Sequence, residues 1–170
     1  MVKLLFQKSK PLAKAFVTHV PPLPNRVNEA KNFKEFLLKN ITEIKWLYNS
    51  MQELDIAFIG LGASIPTGDF DSEMTKLGLP IQNLVDQNII GGINYNWFDS
   101  NGKQFFDFFL TISIKQLQSL SKNERKFITL IAGGLHKVPS IIVALKYKMV
   151  NRLITDVETA KKLLGNNNDN

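Results

Sequence analysis

Two short stretches of this chain carry residues whose types and spacing could do chemistry. One is Gly60-Leu61-Gly62, followed by Ser64 and Thr67; the other is Gly133-Gly134, followed by His136 and Lys137. A glycine lets the backbone approach a ligand closely. Backbone N–H groups exposed at such a turn, with hydroxyls beside them, can hold phosphate or sugar oxygens. Each stretch directly follows a run that reads as a buried strand, Leu54–Leu61 before the first and Phe127–Ala132 before the second. In open α/β sheets ligands settle at the carboxyl ends of strands. Gly60, Gly62, Ser64, Gly133, Gly134 and Lys137 are therefore the candidate ligand-binding residues. Lys137 falls in the first turn of a helix, where the dipole disfavours a cation unless it faces an anion or solvent. Its own sequence surroundings leave both open. A GxG at a strand end also occurs wherever a chain turns sharply, and neither stretch matches the dinucleotide fingerprint or the P-loop.

Other chemistries find little support. With two histidines, no cysteines and no carboxylate pair spaced to join either histidine, no metal site is expected. Gly62-Ala63-Ser64 is not the GxSxG elbow of a nucleophilic hydrolase. Asp69, Asp71 and Asp99 are the carboxylates near the turns that could serve as a base, and no catalytic residue is assigned. His19, alone on the strand-like run Ala15–Val20, reads as a packed or surface residue. Asp107, inside FFDFFL, reads as a charge guarding an edge strand.

The elements that must position the turns follow from periodicity. After Gly133-Gly134, the residues Val138, Ile141, Ile142, Leu145 and Met149 recur at three- and four-residue spacing, which predicts a helix with that face buried. Pro139 suits its first turn. Arg152–Thr155 reads as a second strand, and Asp156 as the cap of a last helix ending at Gly165. Strand, helix and strand in this order make a parallel crossover. Upstream, Asn28 to about Lys39 predicts a helix with Phe33, Phe36 and Leu37 on one face. A second follows Asn40, with Ile41, Ile44, Leu47 and Tyr48 buried and Trp46 at its edge. Phe70–Gly78 and Ile81–Gln87 read as short helices. Ile89–Phe98 and Gln104–Ile112 read as two strands of a hairpin around the turn Asp99-Ser100-Asn101-Gly102, inserted among the parallel strands. Ile114–Leu120 is a further short helix.

At 170 residues and 44% hydrophobic, with twelve phenylalanines, the chain suits one domain with a substantial core. The absence of cysteine fits a reducing cytoplasm. No apolar run approaches the ~20 residues that span a bilayer, so no membrane partner is expected. The net charge of +6 comes from lysines spread along the chain, which reads as a solvated surface rather than a nucleic-acid patch.

In order and spacing, these pieces resemble the sugar-binding effector domain of SorC-type, DeoR-related transcriptional regulators. That family carries a strand ending in GIG, an FFD-x-x-G hairpin turn, an AGG-x-x-K turn and a terminal VTDE-x-x-A-x-x-LL. Here they stand as Gly60-Leu61-Gly62, Trp97-Phe98-Asp99-Ser100-Asn101-Gly102, Ala132-Gly133-Gly134-Leu135-His136-Lys137, and Ile154-Thr155-Asp156-Val157-Glu158-Thr159-Ala160 with Leu163 and Leu164. The resemblance implies an α/β, Rossmann-like three-layer fold with a mostly parallel sheet and an inserted β-hairpin, shared with sugar-phosphate isomerases and deaminases. It implies a phosphorylated sugar as effector, no catalysis and no cofactor, with Lys137 matching the family's ligand-contacting lysine and Gly60–Gly62 another wall of the pocket. It places Gly92 where the family carries an acid that contacts sugar hydroxyls. Between Gly62 and Ile89, where some members carry an arginine for the phosphate, there is Lys76 but no arginine.

The match runs from Ala15 to Leu164. The family's DNA-binding region and the glycine-threonine phosphate loop at the start of its effector domain have no counterpart before Ala15. Residues 1–14 are left as an uncertain segment, 15–164 as a partial effector domain and 165–170 as a disordered tail. The expected state is a homo-oligomer that meets DNA only through a separate region. The rival readings are a sugar-phosphate isomerase or deaminase of the same fold, and an oligomerisation module that has lost its ligand. Exposed aromatics around Phe105–Phe109 would serve the latter.

Overall fold

The computed structural model of the chain describes residues 27–62, 75, 88–105, 107 and 109–165. Helices α1 (Val27–Asn40) and α2 (Thr42–Ser50) lead through a 3-10 turn (Met51–Glu53) into strand β1 (Ile56–Gly60). Strands β2 (Ile89–Ile93), β3 (Asn96–Asp99) and β4 (Gln104–Phe105) come next, then α3 (Ile114–Ser121) and β5 (Phe127–Ile131). A second 3-10 turn (Leu135–Lys137), α4 (Val138–Lys146), β6 (Arg152–Ile154) and α5 (Val157–Gly165) complete the described part.

β1, β5 and β6 form a parallel sheet in the order β1-β5-β6, as the strand-helix-strand pattern predicts. Its register brings Gly60 level with Ile131, and Ile131 level with Ile154, so all three strands end at one height. One face carries Ile59, Leu61, Ile128, Leu130 and Ala132. It packs against Leu117 and Leu120 of α3 and Ile141, Val143 and Ala144 of α4. The other face carries Ile56, Phe58, Phe127, Ile131, Arg152 and Ile154, all exposed; Phe58 is 68% exposed. The guanidinium of Arg152 lies 3.7 Å from the centre of the Phe127 ring. β1 is therefore not the fully buried strand its unbroken apolar run predicts. Such runs are the mark of parallel strands covered on both faces, and the helices α3 and α4 cover one.

The hairpin forms a sheet of its own, order β2-β3-β4, joined to the parallel sheet at Gly62, whose N–H donates to Gly92 O at 2.8 Å. Its first turn lies at Asn94-Tyr95, both at positive φ (49° and 62°), the geometry of a two-residue hairpin turn. The expected single strand Ile89–Phe98 is thus two strands. The return strand shrinks from Gln104–Ile112 to Gln104–Phe105. The predicted turn is present between β3 and β4, held by Asp99, whose carboxylate accepts from the N–H groups of Asn101 (2.8 Å) and Lys103 (2.9 Å). Buried Asn96 ties the hairpin to the start of α3. Its Nδ2 donates to Ile112 O (2.8 Å), and its Oδ1 accepts from Gln104 Nε2 (2.7 Å). Gln104 Oε1 in turn accepts from Ile114 N (2.9 Å). Ser113 and Gln116 close a capping box at the start of α3.

The helices keep their expected places with altered faces. In α4 the buried set is Val138, Ser140, Ile141, Val143 and Ala144, not Ile142 and Leu145. The helix stops at Lys146, and the positive φ of Lys148 (54°) swings Met149 into the core independently of the helical phase. In α1, Leu37 is buried but Phe36 is 57% exposed, and Lys34 takes the inner position instead. Lys34 buries its stem and sends its ammonium to Asp107 at 2.5 Å, over the Tyr48 ring. Asp107, read from the sequence as an edge-strand guard, is also the ion-pair partner of Lys34. In α2 only Ile44 is buried, and Trp46 stands half in solvent. The strand expected at Ala15–Val20 with His19, most of Phe70–Gly78, Ile81–Gln87 and the tail after Gly165 lie outside the described residues, as do Ser64, Thr67, Asp69, Asp71 and Lys76.

Candidate functional site

Because β1 and β5 are paired neighbours that end level, the two glycine turns leave the sheet side by side. Leu61 and Gly62 continue β1, and Gly133 and Gly134 continue β5, with Ala132 N still donating to Ile154 O at 3.1 Å. Lys137 joins the two. Its Nζ donates to Leu61 O at 2.9 Å, across 76 residues of sequence. No carboxylate pairs with this ammonium among the described residues. A half-buried cation with a neutral carbonyl as its acceptor keeps an unneutralised charge that an anion can use.

The turn after β5 is built around Gly134. Its φ of 105° with ψ of 134° belongs to glycine, and its Cα faces the His136 ring, which any Cβ would meet at 2.8 Å. Lys137 N closes a 3-10 turn onto Gly134 O at 2.9 Å and then stands as the residue before α4. The N–H of Gly134 points inward. It donates to Asp156 Oδ2 (2.9 Å) and to Thr159 Oγ1 (2.8 Å). Thr159, fully buried, donates its own N–H to Asp156 Oδ1 (2.8 Å) and its hydroxyl to Asp156 Oδ2 (2.7 Å). A Cβ on Gly133 would run into Asp156 Oδ2. Asp156 does cap α5, as its position predicts, and it also holds the Gly133–Gly134 turn. Sequence reading missed that second contact and missed Thr159, although an N-cap aspartate with a hydroxyl residue three positions on was visible.

Of the residues singled out, Gly60, Gly62, Gly133, Gly134 and Lys137 meet at this end of the sheet, and Ser64 lies outside the described residues. Two glycine amides are spent within the protein, Gly62 on Gly92 O and Gly134 on the Asp156–Thr159 pair. What these glycines offer a ligand is close approach rather than N–H donors. Gly92 itself leaves no room for an acid. A Cβ there would lie 2.7 Å from the Trp97 ring. Gly91 similarly lets β2 press onto Ser140 of α4, whose hydroxyl donates to Ile90 O. Among the described residues no group of three or more histidines and acids could hold a metal ion, and no helix is long and apolar enough to cross a membrane.

A family model described as a putative sugar-binding domain matches residues 9–165. The chain belongs to this sugar-binding domain family. Solved structures agree with that membership and with the resemblance to SorC-type and DeoR-related regulators. A transcriptional regulator from Streptococcus pneumoniae is 26% identical, with a TM-score of 0.66 over 91% of this chain and 56% of its own. The full-length sorbitol operon regulator SorC from Klebsiella pneumoniae is 21% identical, with a TM-score of 0.65 over 86% of this chain and 46% of its own. A DeoR family transcriptional regulator from Listeria monocytogenes, at 15% identity and a TM-score of 0.67, covers 85% of this chain and 56% of its own. The chain thus spans about half the length of the solved chains it matches. No curated protein sequence matches it.

The carboxyl of Asp156 is lowered from 3.8 to about 2. The largest cause is the N–H of Thr159, then the Thr159 hydroxyl; desolvation opposes them, and the N–H of Gly134 adds a smaller lowering. A carboxylate whose pKa is depressed on folding contributes stability above its unfolded pKa and loses it as pH falls through the folded one. For Asp156 that window lies between 3.8 and about 2. Urea midpoints followed from pH 5 downwards should therefore fall less steeply across this window in Asp156→Asn than in the native chain. Equal slopes would mean that Asp156 is not held ionised by these contacts.

Proposed function

We propose that this sugar-binding domain takes a phosphorylated sugar as a non-catalytic effector, as part of a SorC-like cytoplasmic regulator that meets DNA through a separate region. The observation that carries the reading is Lys137. Its ammonium links the two glycine turns through Leu61 O and has no acid partner among the described residues. An anionic group on a sugar would complete its charge, while the glycines let the ring come close to the backbone. The acid–base chemistry of an isomerase or deaminase finds no support in the described carboxylates. Asp99 is engaged by two backbone N–H groups of its turn, and Asp156, with a pKa of about 2, is a weak base for proton abstraction near neutrality. Gly92 offers no acid at all.

Thermal shift against a panel of pentose and hexose phosphates tests the reading. A ligand at about 100 times its Kd adds roughly 2.7 kcal/mol, which for a chain of this size is a rise of about 5–10 °C. Lys137→Ala should weaken binding about 10- to 100-fold, the usual worth of a hydrogen bond to a charged group. A folded native chain with no shift from any sugar phosphate would contradict the reading.

A second reading, an assembling module, is favoured by the outer face of the parallel sheet. Ile56, Phe58, Phe127, Ile131 and Ile154 line it, and a groove of about 520 Å³ runs over most of them. Of the expected Phe105–Phe109 region, Phe106 and Phe108 lie outside the described residues. There Phe105 packs with Ile89 and Trp97, and Phe109 lies against Tyr95. The occupant in this reading is a second copy of the chain. Light scattering should then show a dimer or larger species that Phe58→Glu converts to monomer. A native chain that stays monomeric at high concentration would rule this assembly out.

A further inference from the structure

Resting on the effector reading, we infer that Asp156 is the positioning residue of the sugar-phosphate site, acting with Thr159 through the Gly133–Gly134 turn to set the place of Lys137. Each link is a contact already described. Asp156 Oδ1 is taken by the N–H of Thr159, which fixes the carboxylate against the start of α5. Its other oxygen, Oδ2, faces back towards the sheet and accepts from Gly134 N and from the Thr159 hydroxyl. The Gly134 peptide is therefore held from below by two acceptors, and it must keep a backbone conformation that only glycine adopts at ease. Gly134 O then accepts from Lys137 N, which closes the turn and aims the lysine stem at Leu61 O.

Helix capping alone does not require this arrangement. An N-cap side chain needs one acceptor oxygen for the N–H three residues on. Here the second oxygen leaves the helix and reaches a residue 22 positions earlier. Gly133 records the same demand, since a Cβ there would collide with that oxygen. The turn and the carboxylate are built for each other. Three protein donors occupy the carboxylate oxygens of Asp156, so the cationic Lys137, and not Asp156, is the group that meets the ligand's anionic end.

The discriminating variant is Asp156→Asn. Asparagine caps helices as well as aspartate does, but its single oxygen cannot replace two acceptors that point in different directions. The test measures the Kd of the best-binding sugar phosphate for the native chain, D156N, K137A and the double variant, with melting temperatures for each. D156N should melt within a few degrees of the native chain yet bind about 10-fold more weakly. The same change made in K137A should cost less than about 3-fold, because the residue it positions is already gone. An equal loss in both backgrounds, or no loss in the native one, would overturn the inference. Asp156→Ser, which still caps, replaces D156N if the amide variant fails to fold.

A second arm needs no ligand. In ¹H–¹⁵N spectra of the full chain, D156N should move the amide signals of Gly134 and Lys137 as well as those at the start of α5. Changes confined to α5 would leave Asp156 as a cap alone. If no sugar phosphate binds the native chain, the effector reading falls, and this arm still decides whether Asp156 sets the turn.

Discussion

The arrangement depends first on strand register. Three parallel strands that ended at different heights would send their loops to different places. Here Gly60, Ile131 and Ile154 are paired across the sheet, so the segments that follow them leave together. From the first comes the Leu61 carbonyl, from the second the glycine turn with Lys137, and from the third Asp156. The site is the meeting of these segments. Its two key links, Lys137 to Leu61 and Asp156 to Gly134, join neighbouring strands at that shared edge. The register itself rests on the inner face of the sheet, where Ile59, Ile128 and Leu130 must all reach the core formed with α3 and α4. A slip of one residue would turn those side chains outwards.

The glycines divide by what surrounds them. Gly91 and Gly92 are glycine because Ser140 and Trp97 occupy the space a side chain would need, and Gly133 because Asp156 does. Gly60 has open space around it, so nothing among the described residues requires it. A glycine with room to spare at the carboxyl end of a strand is consistent with space kept for a ligand. Gly62 is different again, since its N–H binds the hairpin to the parallel sheet. The proposed ligand-facing turn and the joint between the two sheets thus share Gly62.

Much of this was legible in the sequence for physical reasons. The apolar run before each glycine turn, the crossover from β5 to β6 and the cap at Asp156 are local patterns, and the structure contains them. The hairpin was seen with its boundaries wrong, because Asn94-Tyr95 lacks the glycine that usually marks a two-residue turn. The inner face of α1 was misread because Lys34 is a charged residue whose stem packs inwards, which hydropathy alone cannot show. The exposed face of β1 was missed because an unbroken apolar run is silent about whether one face or two are covered. Least legible were the long-range contacts. Nothing in local sequence says that Lys137 will reach Leu61 or that Asp156 will reach Gly134. Those pairs exist only once the strands are aligned.

Both glycine turns and Lys137 are expected to form one ligand site. Mapping the amide chemical-shift changes of the ¹⁵N-labelled chain during titration with a sugar phosphate tests it most directly. The largest changes should fall together on Leu61, Gly62, Gly133, Gly134 and Lys137 and disappear in K137A. Changes centred on Phe58, Phe127 and Ile154 of the outer sheet face, or saturable changes at one turn without the other, would contradict it.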